Sequence, residues 1–223
     1  TKRDDARDHV FARIAMNEGS PPFDDYYQRH PEKKNIDDEN RKRAKKSGTM
    51  LVGQDPVNER LAISSFSRAW VMSRPDYLEH KASMKVQPVG RVSEKKIYPD
   101  PKQITRKIKA LGLHLGAGKV RVSELDQRWV YSHQPVPKYG EPYHLDYPYV
   151  ICLAVPQSPF FMDNHTGLSA NWEAGWTYSY ASFISYVIAD YIRSLGWEAR
   201  AIPTVNTPYL VAPMFVDCGV GEH

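Results

Sequence analysis

Only two cysteines occur in 223 residues, Cys152 and Cys218, far apart and each in an apolar setting. That excludes a disulfide framework and any CxxC metal or cluster motif. Nothing approaches eighteen consecutive apolar residues, so no transmembrane helix is encoded, and the first thirty residues lack the apolar middle of a signal peptide. Charge of one sign is scarce as well. Thirty Lys and Arg stand against 26 Asp and Glu, a net charge of +4, with most of the concentration before Met50. Mixed charge of this kind argues against a nucleic-acid partner. The chemical motifs are missing too. His133, His144, His165 and His223 share neither HxH nor HExxH spacing, so no protein-ligated metal is assigned. The glycines between Gly112 and Gly118 lack the lysine-serine pair of a P-loop and precede a strand rather than a helix, and no GxGxxG occurs. No GxSxG elbow is present, although a Ser-His-Asp triad assembled from distant residues stays open.

What remains is a globular composition, 41% hydrophobic and 25% charged, sufficient for one sizeable core and a flanking part. Residues 1 to about 50 mix charges densely around an aromatic island at Phe23, Tyr26 and Tyr27. The run Arg41-Lys42-Arg43-Ala44-Lys45-Lys46 reads as a solvated helix face, because Asp37, Asp38 and Glu39 offset it. We expect residues 1–98 to be an N-terminal arm or extension, partly irregular, wrapping a body formed by residues 99–223. Within the arm, Leu61, Ile63, Phe66, Ala69, Trp70 and Met72 fit a short amphipathic helix that ends near Pro75.

In the body, Asp100 and Pro101 open a helix as N-cap and first-turn residue, and Ile104, Ile108 and Leu111 give it an apolar stripe. Lys119–Leu125 alternates as a strand should, and the run Asp126–His133 follows. We group helix, glycine loop, strand and Trp129-Val-Tyr-Ser132 as one unit. Tyr149–Val155 is continuously apolar, the mark of a central strand covered on both faces. A helix from Ser169 or Asn171 to Leu195 follows, ended by Gly196. Its positions Phe183, Ile184, Val187, Ile188, Tyr191, Ile192 and Leu195 define a wide buried face. A further strand is expected at Ala199–Pro203 and an apolar segment at Tyr209–Val216. Strands alternating with helices indicate an α/β layered domain. The start on Thr1 and the end at a glycine-punctuated turn lead us to expect a piece of a longer chain.

With other motifs absent, the 14 tyrosines carry the chemical options. A phenol with its ordinary pKa near 10 keeps its proton at neutral pH and yields it to a strongly basic, carbanion-like centre, which suits reductive chemistry better than hydrolysis. Tyr178 lies at the head of the long apolar helix. By the residues alone it is either a core tyrosine with a satisfied hydroxyl, which side-chain physics favours, or a proton donor.

Four motifs in order carry a resemblance: Leu125-Asp-Gln-Arg-Trp-Val-Tyr-Ser132, Tyr178-Ser179 heading a helix that ends Tyr191-Ile-Arg-Ser-Leu-Gly-Trp197, Ala201-Ile-Pro-Thr-Val-Asn206, and Asp217-Cys-Gly-Val-Gly-Glu222. From about Pro101 to His223 the chain resembles the corrinoid and iron-sulfur dependent reductive dehalogenases. The resemblance implies an α/β fold, an α+β sandwich with a nitroreductase-like cobalamin-binding core, truncated at its C-terminal end. It implies removal of halide from an organohalide by two-electron reduction at cobalamin, with Tyr178 as proton donor. Tyr131 matches a tyrosine close to the corrinoid, Asn206 a pocket asparagine contacting cofactor and substrate, and Ala174 another pocket-lining position. The basic partner of the tyrosine and the cysteines of two 4Fe-4S clusters would lie beyond this chain, so the piece by itself is expected to be inactive. Implied partners are a halogenated organic substrate, an electron donor (ferredoxin, flavodoxin or a quinol-linked reductase) and a small membrane-anchor protein. The family's twin-arginine export signal is missing, which favours a cytoplasmic placement; a cut N-terminus would leave an exported, membrane-associated protein open. Two rival readings remain, an epoxyqueuosine-reductase-like corrinoid enzyme and an inactive binding or scaffold domain of the same fold.

Overall fold

A computed structural model describes residues 3–9, 12–13, 16–47, 89–135, 138–163, 168–202 and 207–222. Its helices are α1 (Pro21–Arg29), α2 (Lys34–Ser47), α3 (Pro101–His114), α4 (Pro159–Met162), α5 (Leu168–Ser194) and α6 (Val211–Asp217). Two strands, β1 (Lys119–Glu124) and β2 (Tyr149–Ala154), and three short 3-10 turns complete the regular elements among the described residues. The content is mixed, as expected for an α/β protein. The helix expected around Leu61–Met72 lies outside the described residues.

Two compact units are present. One comprises Thr1–Asp55, Asp126–Asp146 and Pro208–Leu210; the other comprises Pro56–Leu125, Tyr147–Thr207 and Val211–His223. The boundary falls between Leu125 and Asp126, so the Trp129–Ser132 run separates from the helix and strand with which the sequence groups it.

In the first unit, Ser20 precedes Pro21 and Pro22, whose fixed φ suits the first turn of α1. That helix buries Phe23, Tyr26 and Tyr27 around Met16, with Tyr139 packed against them. The rings of Phe23 and Tyr27 meet edge on at 4.7 Å, and those of Tyr26 and Tyr27 at 5.0 Å. The basic run does form a helix, α2, yet Arg41 is not simply solvated. Its guanidinium lies over the Phe23 ring at 4.9 Å and pairs with Asp38 at 2.9 Å. A planar cation over an aromatic face gains from the ring quadrupole while covering apolar surface.

The second unit is built on α3, the sheet and α5. Asp100 caps α3 by accepting from Gln103 N–H at 2.8 Å, as the sequence predicts. β1 and β2 pair antiparallel, placing Val120 opposite Leu153 and Val122 opposite Ile151. Opposed residues share a face, and this face meets Ile108 of α3 and Ile184 and Ile188 of α5. Full burial of an isoleucine side chain contributes about 1.5–3 kcal/mol, so Ile184 and Ile188 are principal anchors of α5. Another side of α5 places Tyr186 and Ala189 against Ala201. The helix ends at Gly196, whose φ of 86° turns the chain away.

Three expectations about these elements are corrected. β2 is not a central strand covered on both faces: it is half of a two-stranded sheet among the described residues. Tyr149 is 63% exposed, and only Cys152 along the strand is fully buried. At Ala199–Pro203 the described residues form no strand; Arg200 makes an isolated bridge with Val89 instead. Phe183 does not belong to the buried face. It is 51% exposed, because the turn that seats Ile184 in the core directs its neighbour, 100° around the helix, outward. The apolar Tyr209–Val216 segment forms a short helix, α6, from Val211 onward.

Candidate functional site

α5 is a helix of 27 residues, and it carries both Ala174 and Tyr178. Four residues apart, they lie one turn from each other on the same side of the helix. Both are half-buried. The backbone carbonyl of Tyr178 accepts from the Ser182 hydroxyl at 2.8 Å, and Ser182 is itself buried.

The chain around this turn contains polar residues that sequence reasoning did not single out. Glu173 is buried, and its carboxylate accepts from the Ser158 N–H at 2.6 Å. Thr177, also buried, donates its hydroxyl to the Glu173 carbonyl at 2.9 Å, while Gln157 Nε2 donates to Thr177 Oγ1 at 3.3 Å. A buried carboxylate is costly unless charge-assisted hydrogen bonds satisfy it. The Ser158 contact does so and fastens the start of α4, with its aromatic pair Phe160 and Phe161, to the first turns of α5. The signal available in the sequence was the single charged residue between Leu168 and Ala189.

Tyr131 belongs to the other unit. It is 7% exposed, and burial pushes its phenol above the usual tyrosine range, with the Asp4 carboxylate and Tyr143 adding to the effect. Its backbone N–H donates to Pro208 O at 2.9 Å, beside the bridge between Val130 and Tyr209. The next residue donates from Ser132 N–H to Asp4 O at 2.7 Å, so an N-terminal segment and residues 208–209 hold this tyrosine from both sides. Around it runs a polar network: His133 Nδ1 lies 3.3 Å from Asp5, Asp5 pairs with Arg7, and Arg29 bridges Asp8 and Asp25. Asn206 lies outside the described residues.

The structure thus brings Ala174 and Tyr178 together and adds Glu173, Thr177 and Gln157 to their neighbourhood. A depression of about 600 Å³ lined by Asp100, Gln103, Arg106, Lys107 and Ala110 on α3 includes none of the predicted site residues. Among the described residues, no three His, Cys, Asp or Glu side chains gather in a way that could hold a metal ion, and no helix is long and apolar enough to cross a membrane.

No family model matches the chain, and no curated protein matches it. Solved structures do. A variant of the N-terminally tagged catabolic reductive dehalogenase NpRdhA aligns with 59% of this chain at 24% identity and a TM-score of 0.51. A second structure of N-terminally tagged NpRdhA aligns with 59% at 23% identity and a TM-score of 0.50. In both cases the chain covers 20% of the solved protein. The resemblance to the reductive dehalogenases read from the motifs is therefore found in three dimensions as well, as a shared fold over about a fifth of the length of those structures.

Proposed function

We propose that this chain forms part of a reductive dehalogenase, an oxidoreductase that replaces a carbon-halogen bond by a carbon-hydrogen bond. The observation that carries the reading is the coincidence of the fold likeness to NpRdhA with the ordered motifs around Tyr131, Tyr178, Asn206 and Asp217–Glu222. In this reading the core is nitroreductase-like and works with cobalamin, two 4Fe-4S clusters and an external electron donor.

The described residues do not by themselves fit a corrinoid. The α3 depression contains none of the residues in question, and Tyr131, the position matched to a corrinoid neighbour, is only 7% exposed. The net change is R–X plus two electrons and a proton giving R–H plus halide. Tyr178 Oη holds that proton and delivers it to the carbon that loses halide. A phenol suits the task because it remains protonated at neutral pH and donates only when strongly basic character develops at carbon. Ala174, one turn earlier, is a methyl-sized side chain that leaves room beside Tyr178, and Asn206 supplies an amide to orient the substrate. A flat, apolar organohalide is the expected substrate class.

The test is Tyr178→Phe in the complete, cobalamin-reconstituted protein of which this chain is a part, supplied with reductant and a set of chlorinated and brominated aromatic compounds. Halide release should fall by about 10²-fold or more, the usual worth of a positioned general acid, while the corrinoid absorption spectrum is retained. Near-normal turnover would remove Tyr178 from the mechanism. Absence of halide release from the complete wild-type protein in a fully reduced, reconstituted state would remove the dehalogenase reading itself.

A further inference from the structure

The two cysteines are separated by 66 positions, and the sequence alone reads them as unrelated. The structure places the Cys152 Sγ and Cys218 Sγ 3.3 Å apart, with the Cys152 thiol donating to its neighbour. Both are free thiols, 1% and 8% exposed. Cys152 sits in the middle of β2 opposite Arg121, on the face of the sheet away from Val120 and Leu153. Cys218 follows directly on α6, where its N–H donates to Met214 O at 3.0 Å. The next residue, Gly219, turns back at φ 69°, so that Val220 N–H reaches Phe215 O at 2.9 Å. This is a helix C-cap that needs a residue tolerant of positive φ. It fixes the backbone of Cys218 and hence aims the thiol at the sheet.

A metal does not account for the pair. Two thiols are half of a tetrahedral zinc set, and no third His, Cys, Asp or Glu joins them among the described residues. Packing alone does not require it either, since an alanine or a valine would fill either position without presenting sulfur to sulfur. A disulfide has its sulfurs about 2.0 Å apart, so closing the bond needs an approach of about 1.3 Å from the observed 3.3 Å, within the range of small side-chain rotations.

We infer that Cys152 and Cys218 form a reversible thiol/disulfide pair that ties the centre of β2 to the C-terminal turn of α6. The loop so closed contains α4 and α5, including Glu173, Ala174 and Tyr178. Oxidation would thus tether the ends of the segment that carries the candidate site. The inference rests on the geometry of the pair and not on the dehalogenase reading, and its test fails or succeeds independently of it.

The chemistry balances with a small-molecule disulfide such as oxidised glutathione as oxidant. One protein thiolate attacks a glutathione sulfur and expels a first glutathione thiolate, leaving a mixed disulfide. The second protein thiolate attacks the protein sulfur of that adduct, forming the Cys152–Cys218 bond and expelling the second glutathione thiolate. Two protein thiol protons are released, and two electrons pass to the oxidant, which becomes two thiols. Burial pushes the Cys152 thiol well above the usual thiol range, and the thiolate is the reactive species. Reaction of the native protein therefore proceeds through local opening of the α6 turn. Once one sulfur has reacted, the effective concentration of the other favours closure over a second adduct.

The protein is incubated with oxidised glutathione, quenched with an alkylating agent and analysed by intact mass and peptide mapping. The expected result is loss of two hydrogens, loss of both alkylatable thiols and a linked peptide containing Cys152 and Cys218, all reversed by dithiothreitol. Amide exchange of residues 214–220 should slow in the oxidised form. In Cys218→Ser the resolving thiol is gone, so a glutathione adduct should accumulate on Cys152 in place of the closed bond. Glutathione adducts without a linked peptide in the wild-type protein, or two thiols surviving an exhaustive incubation that includes reversible unfolding, would overturn the inference. The wild-type measurement decides the matter even if the variant does not fold.

Discussion

Gly196 ends α5, and replacing it by alanine probes two separate demands on one residue. The first is conformational: at φ 86° an L side chain is crowded against its own backbone, at a cost of about 1–2 kcal/mol. The second is packing. A Cβ at this position would stand 2.7 Å from Lys96 Cα and 2.8 Å from Lys95 O, both backbone atoms, so no rotamer change relieves the contact. Residues 95–97 must move, and that strains three bonds that hold the segment to the end of the helix: Ile97 N–H to Leu195 O at 2.9 Å, Ser93 N–H to Arg193 O at 3.0 Å and Trp197 Nε1–H to Ile97 O at 2.7 Å. Losing one or two costs about 0.5–1.5 kcal/mol each. Against this, the unfolded chain loses freedom on gaining a Cβ, which returns about 0.4–1 kcal/mol. The net loss is about 2–3 kcal/mol, or about 5–10 °C in Tm for a chain of this size. Gly219→Ala supplies the control. It has a similar positive φ of 69° but meets nothing within 4 Å, so it reports the conformational term alone. Urea unfolding followed by tryptophan fluorescence, with Trp197 beside the mutated site, measures both. Equal losses for the two variants within about 0.5 kcal/mol would refute the packing argument, and an undiminished Gly196→Ala protein would refute both.

Ile184 is completely buried between α3 and the sheet, so Ile184→Ala should cost about 2–5 kcal/mol in the same unfolding assay; a loss like that of an exposed position would mean that α5 is not seated as described. The first unit should be acid-sensitive. Burial opposes the charge of Asp5 but the Arg7 hydrogen bonds outweigh it, and the Tyr139 hydroxyl is the largest influence lowering Asp25. Folded values below the unfolded ones give stability that is present above about pH 4 and lost as pH falls through the folded values. Tyr139→Phe should therefore raise the acid midpoint seen by amide exchange in residues 21–30. At the other extreme, burial raises the Tyr131 phenol; its contribution is complete below about pH 10 and lost as pH rises through its folded value. A phenolate difference titration of Tyr131→Phe against the parent protein should show one late-ionising tyrosine missing.

Local signals reached a good part of this protein. The cap and stripe of α3 were readable because Asp100, Pro101 and the spacing of Ile104, Ile108 and Leu111 act within one or two turns. The alternation of Val120 and Val122 announced β1, and Gly196 announced the end of α5, for the same reason. Tyr178 was legible as a residue of a long helix, although it lies ten positions inside the start at Leu168 and not at the head, and the order of motifs around it pointed to the dehalogenases, with whose solved structures the chain shares a fold over part of their length. The placement of Ala174 one turn before it follows from helical periodicity alone.

Other features depended on partners distant in the chain. β2 is apolar throughout, but whether an apolar strand is central or at an edge depends on neighbouring strands, and here β1 alone pairs with it among the described residues. Whether Phe183 or Ile184 faces the core was a matter of which side of α5 the sheet occupies. Residues 126–146 group with the N-terminal segment through Ser132 with Asp4 and Tyr139 with Asp25, contacts between positions more than a hundred apart. Glu173 could be buried only because Ser158 N–H arrives to meet its carboxylate. The same holds for Cys152 and Cys218: composition and spacing determined that there were two apolar thiols, and only the packing of the α6 turn against β2 decided that they face each other. Helix caps, periodicity and turn glycines are short-range forces that the sequence carries in itself, whereas burial, pairing and charge satisfaction are properties of surfaces that exist only once the chain has closed on itself.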